Sequence, residues 1–116
     1  MVKLKRAYEP AAASDGTRYL VERLWPRGVK KTALRIDAWL QDVAPSMALR
    51  QWFKHDRKKW PEFERRYIRE LDAHQEALQP LLDAARRGKL TLVYSSHDAE
   101  HNNAVVLKKY VEDKSR

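Results

Sequence analysis

The 116-residue chain contains no cysteine, so neither a disulfide framework nor a thiolate metal site is open to it. Secretion gains no support from such a composition, and a cytoplasmic location is the expectation. Long apolar runs are also missing: no stretch approaches the roughly 20 apolar residues that a membrane helix needs. The first residues, Met1-Val2-Lys3-Leu4-Lys5-Arg6, are basic but lead into Tyr8-Glu9-Pro10 and not into an apolar segment, which argues against a signal peptide. Internal repeats, linkers and low-complexity tracts are absent as well. At this length a single domain spanning 1–116 is expected, long enough to bury a real core.

Positive charge, in contrast, is abundant. The chain carries 24 Lys and Arg against 16 Asp and Glu, a net +8. Residues 1–60 hold 14 basic and 6 acidic side chains, whereas residues 61–116 hold 10 of each, so the whole excess lies in the first half. A concentrated positive field favours anionic partners such as phosphorylated small molecules, nucleic acid or acidic proteins. A solvated lysine-rich surface accounts equally well for any single residue.

Alternation around Leu4 and the β-forming run Tyr19-Leu-Val-Glu-Arg-Leu24 predict strands over Lys3–Tyr8 and Tyr19–Leu24, joined by a loop over Pro10–Gly16. Leu34, Ile36, Trp39, Leu40 and Val43 fit a short helix that Pro45 ends. Ser46 is a natural N-cap for a helix over Met47–Phe53, and Asp56 for a turn that Pro61 interrupts or kinks. The stripe Trp60, Phe63, Tyr67, Leu71 marks a longer helix. Leu78, Leu81, Leu82 and Ala85 mark another, ended by Arg86-Arg87-Gly88 with the glycine as a left-handed cap. Leu90-Thr-Leu-Val-Tyr94 reads as a strand covered on both faces. A last helix is expected from Ala99 to Glu112, with fraying over residues 113–116. The order implies an α/β fold: a small, mostly parallel sheet of three to four strands with helices packed on it.

In open α/β sheets, ligands bind beyond the carboxyl ends of strands, near the starts of the following helices. Two segments qualify, Arg23-Leu-Trp-Pro-Arg-Gly28 and Ser95-Ser-His-Asp-Ala-Glu-His-Asn-Asn103. In the second, a strand feeding a helix exposes orphan N–H groups. Ser95 adds a hydroxyl, Asp98 is the expected N-cap, and Asn103 falls on the inward face of the first turn, where a structural role and a functional one compete. His101 suits proton transfer near neutral pH, with Asp98 and Asn103 as its candidate catalytic companions. His97-Asp-Ala-Glu100-His101 formally matches a His-x-x-Glu-His zinc pattern, but His97 precedes the expected cap and a third ligand has no obvious source. In the first segment, Arg23 and Arg27 bracket Trp25, an arrangement that can hold a guanidinium on an aromatic face and aim both cations at a carboxylate or phosphate. Arg50 and His55 stand near the end of a short helix, where Arg50 has Asp42 as an alternative, purely structural partner. No nucleophile is evident, since Ser95 and Ser96 lack the glycines of a hydrolase elbow.

Taken together, Lys5-Arg6-Ala-Tyr8-Glu-Pro10, Val21-Glu-Arg-Leu-Trp-Pro-Arg-Gly28, Trp39-Leu-Gln-Asp-Val-Ala-Pro-Ser46, Leu49-Arg-Gln-Trp-Phe-Lys-His55-Asp56 and Val93-Tyr-Ser-Ser-His-Asp-Ala-Glu-His-Asn102-Asn-Ala104 resemble the YeaO-like family, a domain of unknown function. The resemblance implies an α/β fold and a family motif made of these polar and aromatic residues. It implies no reaction, substrate or cofactor. In the family pattern the place of His97 is commonly held by a different, basic residue, which weighs further against zinc.

The leading expectation is therefore a small enzyme or ligand-binding domain. Its pocket would gather Arg23, Trp25, Arg27, Arg50, His55, Ser95, Asp98, His101, Asn102 and Asn103 around an anionic, nucleotide-like ligand. Arg23, Arg27, His101 and Asn103 are expected to converge on one pocket. The alternative is a basic nucleic-acid-binding module, for which no standard motif is present; a protein-interaction module without a ligand is the third reading. With no complete ligand set in the sequence, folding is expected to be independent of metal. Elemental analysis should find no stoichiometric zinc, and a chelator should leave the melting temperature unchanged.

Overall fold

In the computed structural model, which describes residues 1–115, the apolar run of β4 (Leu90–Tyr94) sits in the middle of a four-stranded sheet. Its neighbours are β1 (Val2–Arg6) and β2 (Thr17–Leu20), and β3 (Ala38–Trp39) extends the sheet beyond β2. The order is β1-β4-β2-β3 and every pairing is parallel. The α/β expectation holds. Val2 to Arg6 face Leu90 to Tyr94, and Thr17 to Leu20 face Leu90 to Val93. Where β2 approaches the start of β4, Gly16 adopts a positive φ of 66°, and a Cβ there would lie 2.4 Å from the Lys89 carbonyl oxygen. Only glycine fits that crossing.

Five helices pack on this sheet: α1 (Lys31–Leu34), α2 (Met47–Phe53), α3 (Trp60–Ala73), α4 (Gln75–Arg87) and α5 (Asn103–Lys114). Ser46 caps α2 as expected, its hydroxyl accepting from the Leu49 N–H at 3.1 Å. Asp56 caps a 3-10 turn over Arg57–Lys59 that runs straight into α3. Pro61 lies in the first turn of that helix, where its missing N–H has no partner to lose.

Four expected boundaries are corrected, the first being that of β1, which ends at Arg6 and not Tyr8. The helix over residues 34–43 is replaced by α1, β3 and a 3-10 turn at Gln41–Val43. Its apolar spacing is overridden by pairing with β2, since the Leu40 N–H donates to the Leu20 carbonyl and the Asp37 N–H to the Arg18 carbonyl. The second strand stops at Leu20 and not Leu24, because the Glu22 carbonyl accepts from the Trp39 side chain and not from a strand backbone N–H. The last helix begins at Asn103 and not Ala99, and it runs on through Lys114 where fraying was expected; Arg116 lies outside the described residues. Gly88 ends α4 with φ 159° and not in the left-handed conformation.

The sheet is covered on both faces, and all five residues of β4 are buried. Leu90, Leu92 and Tyr94 join the larger core with Tyr67 and Leu71 of α3, Leu78 and Leu81 of α4, and Leu107 and Val111 of α5. Leu20 and Val93 point the other way, to Ala7 and Leu34, against which Trp25, Val29 and Ile36 pack. No helix among the described residues is long and apolar enough to cross a membrane.

Toward the amino ends of the strands the second face is polar. Asp15, fully shielded from solvent, binds Lys3 at 2.9 Å, Lys5 at 3.1 Å and Arg18 at 2.6 Å. Arg18 is itself buried and also donates to the carbonyls of Leu34 and Arg35, which stops α1. Burial opposes the Asp15 charge, but bonds from Lys3, the Ala12 N–H, Lys5 and Arg18 overcome it and hold the carboxyl well below its usual range. A depressed folded-state value stabilises the protein above the ordinary carboxylate range, and that contribution is lost as pH falls through the folded-state titration. Asp15→Ala strands the buried guanidinium and should cost about 3 kcal/mol in urea denaturation at neutral pH. The wild type should lose stability below about pH 4, and the variant should lose less of it over the same range.

Candidate ligand-binding site

Beyond the carboxyl ends of β2 and β4 the chain leaves the sheet twice, through Val21–Leu24 and through Ser95–Asn102. A cavity of about 690 Å³ opens between these segments and α2. Glu22, Arg50, His55, Ser95, Ser96, His97, Asp98, His101, Asn102 and Asn103 supply its polar lining, and Leu24, Pro45, Met47, Phe53 and Phe63 its apolar lining. Seven residues singled out from the sequence meet here: Arg50, His55, Ser95, Asp98, His101, Asn102 and Asn103. Arg23, Trp25 and Arg27 do not.

The three exceptions have other partners. Arg23 points away from the cavity, donating to the carbonyls of Ala44 and Pro45 and approaching Asp42 at 3.5 Å. It therefore braces the loop before α2, beside a smaller cavity of about 180 Å³. Trp25 gives its indole N–H to the Val29 carbonyl at 2.6 Å and meets Trp39 edge to face, so it packs under a turn. The Arg27 side chain is exposed, and only its carbonyl is engaged, by the Tyr8 hydroxyl. The expected convergence of Arg23 and Arg27 with His101 and Asn103 is thus corrected: β2 ends early, and the backbone after Glu22 carries the two arginines past the cavity.

The segment after β4 is ordered by its own side chains. Asp98 does not cap α5; its Oδ1 accepts from the N–H groups of Glu100 at 2.9 Å and His101 at 3.0 Å, closing a tight turn. The N-cap is Asn102, whose Oδ1 accepts from the Val105 N–H while its amide donates to the Asp98 carbonyl. Asn102 is buried and both ends of its side chain are used, which makes it structural. The Glu100 N–H, then the His101 backbone and ring and the Arg57 guanidinium at 3.0 Å, hold Asp98 below the ordinary carboxylate range against the effect of burial. An ionised carboxylate only accepts, so the His101 Nδ1, 3.2 Å from Asp98, carries the hydrogen. With the ring set edge-on against Trp60 at 5.3 Å, Nδ1 is committed and Nε2 has no partner among the described residues.

Arg50 was expected to have Asp42 as a structural alternative. Asp42 is taken by Arg23, and among the described residues Arg50 forms no ion pair, its closest polar contact being Met47 Sδ at 3.5 Å. His55 follows Lys54 in a second consecutive left-handed conformation (φ 47° and 56°), which turns the chain sharply at the cavity rim. His97 faces outward to Arg6. Among the described residues no three His, Asp or Glu side chains are grouped to hold a metal.

Glu22 was missed in the sequence. It is 7% exposed, accepts from the Ser95 N–H at 3.3 Å, and is followed in the lining by Asn103, whose amide donates to the Val21 carbonyl at 2.7 Å. Burial pushes its carboxyl above the usual value, partly opposed by the Ser95 N–H, the Arg50 charge and Asn103. A charged residue directly after the apolar run Tyr19-Leu-Val, at the carboxyl end of a strand, was the signal that would have found it.

The full chain, residues 1–116, matches the family described as the inactive DUF488-N3 subclade. It is 42% identical over 106 residues to the uncharacterized protein YeaO of Escherichia coli K12, a match covering 91% of this chain and 92% of that protein. The uncharacterized proteins Mb3100c of Mycobacterium bovis and Rv3073c of Mycobacterium tuberculosis are each 38% identical over 106 residues, covering 91% of this chain and 89% of theirs. No solved structure matches the chain.

The contrast between bracing and free side chains is open to measurement. Asn102→Ala removes the α5 cap and a buried amide bond, and should cost about 1–2 kcal/mol in chemical denaturation. Arg27→Ala should stay within about 0.5 kcal/mol of the wild type.

Proposed function

The chain belongs to the inactive DUF488-N3 subclade, and from that premise we propose that it is a ligand-binding domain, not a catalyst, seating a small organic anion at the carboxyl ends of β2 and β4. One observation carries the reading. Arg50 lines a cavity of about 690 Å³ with no carboxylate paired to it among the described residues, and His55 and His101 stand in the same lining. A guanidinium free of a partner is suited to bidentate recognition of a carboxylate or phosphate. The cavity volume falls within the range of about 300–1,000 Å³ common for small-molecule sites.

Asp98 and His101, paired as a general base and its orienter would be, are on this reading a fixed hydrogen-bonding unit: Asp98 holds Nδ1, and Nε2 is left for the ligand. Asn103 adds an amide oxygen to the same wall. No hydroxyl in the cavity is activated by a neighbouring base, and the subclade's description as inactive supports binding without chemistry.

The nucleic-acid alternative rests on net charge, and no particular feature favours it. Five of the 14 basic side chains in residues 1–60, namely Lys3, Lys5, Arg18, Arg23 and Arg57, are already ion-paired within the fold. Any such binding should be nonspecific and fall steeply with salt.

Calorimetric titration with ribose 5-phosphate tests the proposal. The wild type should bind it and bind ribose poorly, while Arg50→Ala should weaken ribose 5-phosphate about tenfold or more. Arg50 makes no ion pair among the described residues, so the melting temperature should hold. Equal binding by both proteins, or by neither, rejects the reading.

A further inference from the structure

The cavity lining is chemically uneven. Leu24, Met47 and His55 are exposed, whereas Glu22, Phe53 and Phe63 are buried. A small anion held by Arg50 accounts for part of this lining only. The Glu22 carboxylate would repel it.

Glu22 is incompletely satisfied by the protein. Its Oε2 has one long bond, from the Ser95 N–H at 3.3 Å, and the Asn103 amide is its other donor. Two donors leave lone pairs of the carboxylate unused, and Glu22 lines the cavity. Arg50 is near enough for its charge to act on Glu22, yet the two do not form an ion pair. The space between them is therefore bounded by a buried acceptor and a cation. Removing a carboxylate from water this far is unfavourable unless donors reach it, and a ligand in the cavity can add donors to those of Ser95 and Asn103.

We propose that the cavity takes a guanine nucleotide of the monophosphate class, its base directed at Glu22 and its phosphate at Arg50. This rests on the anion-binding reading above and adds what stands at the other end of the ligand. A carboxylate is matched by two parallel N–H donors, as in the pairing of arginine with aspartate. Of the common bases only guanine places two N–H groups side by side on one edge, the ring N1–H and the 2-amino group. The carboxylate has about four lone-pair sites, and the Ser95 and Asn103 donors leave two for these N–H groups. Adenine and cytosine would set a ring nitrogen acceptor against the carboxylate, and uracil would set a carbonyl oxygen. Phe53 and Phe63 supply the apolar wall that a planar base requires, and Asn103 contributes a further acceptor at its edge.

Three probes on the wild type separate the contributions: ribose 5-phosphate, inosine 5′-monophosphate and guanosine 5′-monophosphate. Each keeps the phosphate, and the last two add one and then two N–H donors. Titration should show guanosine 5′-monophosphate about tenfold or more tighter than ribose 5-phosphate, with inosine 5′-monophosphate between them. Glu22→Gln keeps the shape but removes the charge and one acceptor; on that variant guanosine 5′-monophosphate should bind no tighter than ribose 5-phosphate. The wild-type series gives an answer even where the variant is poorly folded. Guanosine 5′-monophosphate binding no tighter than ribose 5-phosphate overturns the proposal, as does a folded Glu22→Gln protein that binds it like the wild type. Failure of the anion-binding reading looks different: Arg50→Ala would then leave the binding of all three probes unaltered.

Discussion

The pairing of β4 on both of its edges is the constraint from which the rest follows. Val2–Arg6 on one side and Thr17–Leu20 on the other satisfy its backbone groups, and helices and loops cover its two faces. A strand buried in this way cannot slip by one residue, because Leu92 and Val93 would exchange cores. Its carboxyl end is therefore fixed next to that of β2. The two departing segments meet there, which places Glu22 against the Ser95 N–H and Asn103 against the Val21 carbonyl.

Around that junction the polar side chains divide into those that build the site and those left open by it. Asn102, Arg23 and Ser46 spend their hydrogen-bonding groups on backbone or on a neighbouring carboxylate, and Asp98 spends its own on a turn and on His101. Among the described residues this bracing leaves Arg50 without an ion pair and the far nitrogen of His101 without a partner. On the proposed reading the site is preorganised, since the positions of these groups are set by occupied neighbours before any ligand arrives.

The uneven charge of the chain has a structural counterpart. Lys3 and Lys5 on β1 and Arg18 on β2 stand on the two strands that flank β4, and without Asp15 they would repel one another across it. One carboxylate thus absorbs part of the excess of the first half, and Arg18 extends the same network to the end of α1. The basic composition serves packing of the second sheet face as well as any outward field.

Local chemistry alone determined a good deal of this protein. The run Leu90–Tyr94 announces a doubly covered strand, Ser46 a helix start, and the Trp60 to Leu71 stripe a helix, because each depends on side chains within a turn or two of one another. The carboxyl ends of strands pointed to Ser95, His101 and Asn103, and also to Arg23 and Arg27, which the fold turns elsewhere; the end of a short helix pointed to Arg50 and His55. Tertiary structure decided what depends on partners far along the chain. The apolar spacing of Leu34–Val43 fits a helix, but pairing with β2 and the grip of Arg18 on the Leu34 and Arg35 carbonyls makes it a turn and an edge strand. Asp98 and Asn102 are both good caps, and packing of the preceding loop chose the second. Whether an arginine is free or occupied is not written in its neighbours: Arg23 found carbonyls some 20 residues away, and Arg50 found none among the described residues. Glu22 gained its meaning only when the fold buried it, since the free energy of a carboxylate is set by the water and donors around it and not by its place in the sequence.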